Sequence, residues 1–99
     1  MNTDDYRNRR ILLEFFDRGN HFHYNTGNHE PDENYRSLGY CTLGEAEVFC
    51  EMMQPLLSNA KHGEVRVTFE RMQQVWKAFS EMLNNKTIRL GNDRGSNHP

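Results

Sequence analysis

Ninety-nine residues, 35% of them hydrophobic, with a formal net charge of −2, suit one small domain with little core to spare. Six Phe, four Tyr and one Trp exclude a chain disordered throughout. No apolar run approaches the ~18 residues of a membrane helix, and two cysteines are too few for a disulfide scaffold.

The small net charge hides a polarity along the chain. Residues 1–20 balance four bases against four acids, residues 21–60 carry one base and six acids, and residues 61–99 carry seven bases and four acids. Such segregation suits orientation of a partner or head-to-tail pairing of two copies. With Gly counted and Tyr left out, the apolar share is about 38%, below the usual 45–50%. Either a tail is unfolded or a partner completes the core.

From the N-terminus, the pattern predicts a helix over about 4–18. Thr3 is placed to cap it, and Asp4 and Asp5 oppose the positive end of its dipole. Tyr6, Leu12, Leu13, Phe15 and Phe16 supply an apolar stripe, and Gly19 after Arg18 forms a left-handed stop. The period then changes. Phe22 and Tyr24 alternate with His21, His23 and Asn25, "NTGNHEPDEN" is rich in turn formers, and "YRSLGYC" reads as a returning strand weakened by Gly39. The expectation is an antiparallel hairpin over about 20–41.

Thr42 and Glu45 spell a capping box at the start of a second helix. Val48, Phe49, Met52, Met53, Leu56, Leu57 and Ala60 keep helical spacing to about residue 62, with a kink or restart at Pro55 and a stop at Gly63. "EVRVTF" is compatible with a short strand. From Thr68 a third helix is predicted over 69–84, with Phe69, Met72, Val75, Trp76, Phe79, Met82 and Leu83 on its apolar face and Asn84-Asn85 at its end. The fold class expected is α+β and helix-dominated: three helices and a small hairpin, with an all-α bundle and an irregular 19–41 loop as the alternative. Leu12–Phe16, Val48–Leu57 and Phe69–Leu83 should form the core, with Trp76 at its centre. A single domain over 1–90 and a disordered tail over 91–99 complete the expectation.

Three chemistries are open to this frame. His21 and His23, two apart on a strand, share a face, and His29 or Cys41 could join them across a hairpin to hold zinc or nickel. Against this, the close CxxC or HxxxH pairs of structural zinc sites are missing, as is HExxH. Cys41 precedes a helix start, where the dipole can activate a thiol. It equally suits an apolar staple against Ala46, and Cys50 suits the core. Ser37 and Ser58 lack a nucleophile-elbow context, and no phosphate-binding glycine loop occurs. Arg7, Arg9 and Arg10 beside Tyr6 could bind a nucleic-acid backbone, although the isoelectric point near 6.2 is low for a dedicated binder.

The expected function is therefore that of a small non-enzymatic regulator, adaptor or inhibitor that binds another protein, with a homodimer as one form. Its expected contact residues are the acidic tip Glu30, Asp32 and Glu33 with Tyr35, and the basic strip Arg7 and Arg10. The alternatives are nucleic-acid binding through Arg7, Arg9 and Arg10, or a metal-binding domain using His21 and His23. No cofactor is expected, zinc being the alternative, and no membrane contact. With no apolar stretch behind "MNTDDYRNRR", the location expected is cytoplasmic.

Overall fold

The computed structural model describes residues 6–27 and 34–96. Three strands come first: β1 (Arg10–Phe16), β2 (His21–Asn25) and β3 (Arg36–Thr42). Two helices follow, α1 (Leu43–Leu57) and α2 (Phe69–Ser96). The sheet order is β2-β1-β3, and both outer strands run antiparallel to β1. The fold is α+β with two helices on one face of a three-stranded antiparallel sheet, neither three helices nor an all-α bundle.

Over Arg10–Phe16 the first predicted helix is replaced by the central strand; of its described residues only Tyr6 and Arg7 are helical. "RILLEFF" satisfies both periods: Leu12, Leu13 and Phe16 fit a helical stripe, while Ile11, Leu13 and Phe15 alternate. A short apolar run of this length does not separate a buried strand from a helix. Position in the sheet decides. As the middle strand, β1 pairs on both sides, and Ile11, Leu13 and Phe15 are buried in the core. The opposite face is covered as well, with Leu12 and Phe16 half-buried and Glu14 between them at 5% exposure. Apolar Leu12 and Phe16 are why the strand lacks the clean apolar–polar alternation of a half-exposed one. The proposed caps Thr3, Asp4 and Asp5 lie outside the described residues.

The hairpin forms between β1 and β2, not between β2 and β3. Its turn is Asp17–Asn20, with Phe16 opposite His21. The left-handed residue is Asn20, at φ 55°. Gly19 is required instead by close approach: a Cβ there would meet His21 Cδ2 at 2.7 Å and Phe16 Cδ2 at 2.8 Å. β3 does form where a returning strand was expected, but it pairs with β1, and its register slips by one residue between Leu13 and Glu14. That slip is a bulge at Leu38, beside Gly39.

Gly39 is also where α2 meets the sheet. A Cβ on it would stand 2.7 Å from the Trp76 indole nitrogen, so the missing side chain admits the ring. Trp76 is buried at 5% exposure, yet the hub of the core is Phe49. The Phe49 ring lies 5.0 Å from Trp76, 5.2 Å from Phe79 and 5.9 Å from Phe22, which joins both helices to the sheet.

α1 starts as its sequence predicts. The Glu45 amide donates to Thr42 Oγ1 at 3.1 Å, and the Thr42 amide donates to Glu45 Oε1 at 2.9 Å. Strand and helix thus join without a linker. The helix ends at Leu57 rather than near 62. Pro55 has already removed the hydrogen bond to Glu51, the Ser58 amide and hydroxyl both donate to the Gln54 carbonyl, and Asn59 turns left-handed at φ 67°. Gly63, at φ 78°, belongs to the following loop, and Glu64–Thr68 contains no strand.

α2 has two caps. Thr68 Oγ1 accepts from the Arg71 amide, and Asp17 Oδ2, in the β1–β2 turn, accepts from the Phe69 amide, each at 3.1 Å. The helix continues past Asn84-Asn85 to Ser96. Asn costs only a few tenths of a kcal/mol in a helix interior, which is too little to force a stop.

Trp76→Ala should cost about 3–5 kcal/mol in denaturant unfolding. Gly39→Ala should destabilise through displacement of the same ring. The two losses should be less than additive, because one contact is lost in both.

Candidate functional site

The open face of the sheet carries Glu14, His23 and Tyr35. Glu14 and His23 are direct partners across β1 and β2, and His23 Nδ1 lies 2.9 Å from Glu14 Oε1. The Tyr35 ring sits 5.3 Å from the His23 ring and 5.6 Å from Phe16. Tyr35 thus packs on the sheet instead of standing free at a loop tip. A buried carboxylate is costly unless it is paired, so the first role of this trio is to satisfy Glu14.

Of the four candidate metal ligands, the three described ones do not converge. His21 and His23 lie on the open face, one exposed and one engaged with Glu14. Cys41 is opposite Ile11 on the core face and buried. His29 lies outside the described residues, as do Glu30, Asp32 and Glu33 of the expected acidic contact. Among the described residues, no group of three His, Cys, Asp or Glu side chains is arranged to hold a metal ion.

The thiols are held in their neutral form. Burial pushes Cys41 up to about 11, and the Glu45 carboxylate adds to the shift. The helix start that could have activated this thiol is thus overridden by its core position, in the same cluster as Ala46. Burial also pushes Cys50 up to about 11, against the pull of a hydrogen bond shared with Tyr24. The Tyr24 hydroxyl is itself driven well above its ordinary range, first by burial and then by that bond.

Arg7, Arg9 and Arg10 are all exposed. Two carboxylates near them in sequence are engaged elsewhere: Glu14 faces His23, and Asp17 caps α2. Arg7 lies against Gly44, where a Cβ would come 3.2 Å from its Nε. The Arg9 carbonyl accepts from the Leu43 amide at 2.8 Å. The Arg9 carbonyl and the Arg7 side chain thus set this strip against the start of α1, while all three side chains keep exposed surface.

The surface that sequence reasoning missed is the outer side of α1. Ala46, Phe49, Met53 and Leu57 face the core, whereas Val48, Met52 and Leu56 are 44, 54 and 55% exposed. All seven fit one helical apolar pattern. The signal was present in its width: a helix apolar on both sides either sits in a deep core or has a second contact. Exposed Glu47 and Glu51 flank the stripe. Next to its N-terminal end, Val48, Phe79 and Leu83 line a shallow groove with Arg7.

Comparisons with protein-family models, curated proteins and solved structures returned no match to this chain. No helix among the described residues is long and apolar enough to cross a membrane.

Two outcomes are expected. His23→Ala should cost about 1–3 kcal/mol by stranding Glu14, while replacing both partners with apolar residues should cost less than the two single losses together. Both cysteines should react slowly with Ellman's reagent in the native protein at neutral pH. Because burial raises both thiols from 9.0 to about 11, their contribution to stability is present below pH 9 and lost as pH rises towards 11. The melting temperature should fall across that window, and less so in a Cys41→Ala/Cys50→Ala variant measured against its own neutral-pH value.

Proposed function

We propose that this protein is a small non-enzymatic binding module, a regulator or adaptor that works through protein–protein contacts, and that it pairs with a second copy of itself through the outer face of α1. One observation carries the reading: Val48, Met52 and Leu56 form an exposed apolar stripe on a helix whose other side already fills the core. A contiguous apolar strip bordered by charge is what interaction surfaces present, and Met52 adds an adaptable contact.

Charge favours a second copy as the occupant. α1 contains three Glu and no base, whereas α2 contains five bases against three acids. Two copies related by a twofold axis can lay each acidic α1 beside the basic α2 of the other, making the same contact twice. Met82, 68% exposed on α2, gives that helix an apolar contact of its own. The open Arg7, Arg9 and Arg10 side chains support a different reading, backbone binding to nucleic acid, and the test separates the two.

Sedimentation of the wild-type chain across the micromolar range should show a dimer that weakens with added salt. Met52→Lys and Leu56→Lys should give monomers with unchanged circular dichroism, since neither side chain is in the core. A wild-type chain that stays monomeric, or variants that still pair, would overturn the reading. Salt-sensitive retention on DNA or RNA by that monomer, lost in Arg7→Ala/Arg9→Ala/Arg10→Ala, would put nucleic-acid binding in its place.

A further inference from the structure

The outer edge of β2 borders a wide, open groove. β2 is the terminal strand of the sheet, and among the described residues no strand lies beyond it. Edge strands are ordinarily protected against further pairing by proline, charge, bulges or a cover. "HFHYN" contains no proline, lysine or carboxylate, and its register against β1 is uninterrupted from Phe16–His21 to Leu12–Asn25. The opposite edge strand, β3, has the bulge.

Beside this edge runs an open groove of ≈ 1320 Å³. β2 forms one wall, and the C-terminal half of α1 and the loop 58–63 form the other, with Cys50, Gln54 and Leu57 contributed by the helix. The volume exceeds the roughly 300–1,000 Å³ of small-molecule sites. A strand the length of β2 spans about 17 Å, enough to present several residues of an extended peptide.

Both walls are fixed in place. The Asn20 side-chain amide donates to the Glu64 carbonyl at 2.9 Å, which ties the β1–β2 turn to the interhelical loop. Inside that loop the Lys61 amide donates to Glu64 Oε2, and the Glu64 amide donates back to the Lys61 carbonyl. Arg66 Nη2 reaches the Ser58 carbonyl at 3.4 Å. A groove held open before binding lowers the ordering cost of a ligand.

The charge of the groove has one sign. Exposed Arg18 and Lys61 line it beside His21, His23 and His62, and among the described residues no Asp or Glu does. Of the carboxylates next in sequence to lining residues, Asp17 caps α2 and Glu64 holds the Lys61 backbone, while Glu51 is exposed on α1.

We propose that the β2 edge captures an extended acidic peptide segment of another protein as an added strand. Main-chain hydrogen bonds would supply the pairing, with peptide carboxylates set towards Arg18 and Lys61 and alternate apolar side chains towards Phe22 and Leu57. This extends the binding-module reading by naming a second partner. It uses none of Val48, Met52 or Leu56, so the two readings fail separately.

The test titrates the full isotope-labelled chain with a short capped peptide of alternating glutamate and valine. Amide shifts and new exchange protection are expected along His21–Asn25 and at Lys61–Gly63, in the Met52→Lys variant as in wild type. Arg18→Glu and Lys61→Glu should each weaken binding roughly tenfold. A peptide with lysine in place of glutamate, and one N-methylated at alternate residues to block the ladder, should both fail. No response at β2, or equal binding of either control peptide, would overturn the proposal.

Discussion

The structure depends on covering β1 on both faces. On one face Ile11, Leu13 and Phe15 require a full layer of apolar partners, and two helices provide it. On the other, Glu14 requires a polar partner in a place where water is largely excluded. β2 serves both demands at once. Its Phe22 reaches Phe49 on the core side, and its His23 reaches Glu14 on the open side. Because a strand alternates its side chains, a one-residue slip of β2 would exchange these roles and lose both.

The short turn after β1 organises the rest. Asp17 caps α2 from a position 52 residues earlier, and Asn20 holds the loop that leads to the helix. Each end of α1 is settled locally, by its capping box and by Pro55 with Ser58. The start of α2 is settled jointly by Thr68 next to it and by a turn that is distant in sequence. This couples the sheet edge, the β2 groove and the entry to α2 in one hydrogen-bonded corner.

The same economy shapes the surfaces. Packing on the sheet consumes one side of α1 and leaves Val48, Met52 and Leu56 with no contact of equal size. The bulge and the bare Cα of Gly39 adapt β3 to Trp76, whereas β2 keeps a regular ladder up to its open edge. Both protonated, Cys41 adds volume within the core and half-buried Cys50 adds a hydrogen bond to Tyr24 at its border.

Local chemistry was legible in the residues themselves. Thr42 and Glu45 announced a helix start, because both halves of a capping box lie within four residues, and the apolar spacing from Phe69 announced a second helix. The strands at His21–Asn25 and Arg36–Thr42 were marked by alternation and by turn formers between them. Long-range pairing was not legible. "RILLEFF" satisfies both periods, and only its place between two other strands makes it a strand. With β1 read as a helix, β2 and β3 had no partner but each other. The two apolar sides of α1 look alike in sequence, and contact with the sheet decides which is core and which is surface. The groove beside β2 is likewise made by elements far apart in the chain. Sequence determined the elements whose signals lie within a turn or two of one another; tertiary structure decided everything that required knowing which neighbour a face would meet.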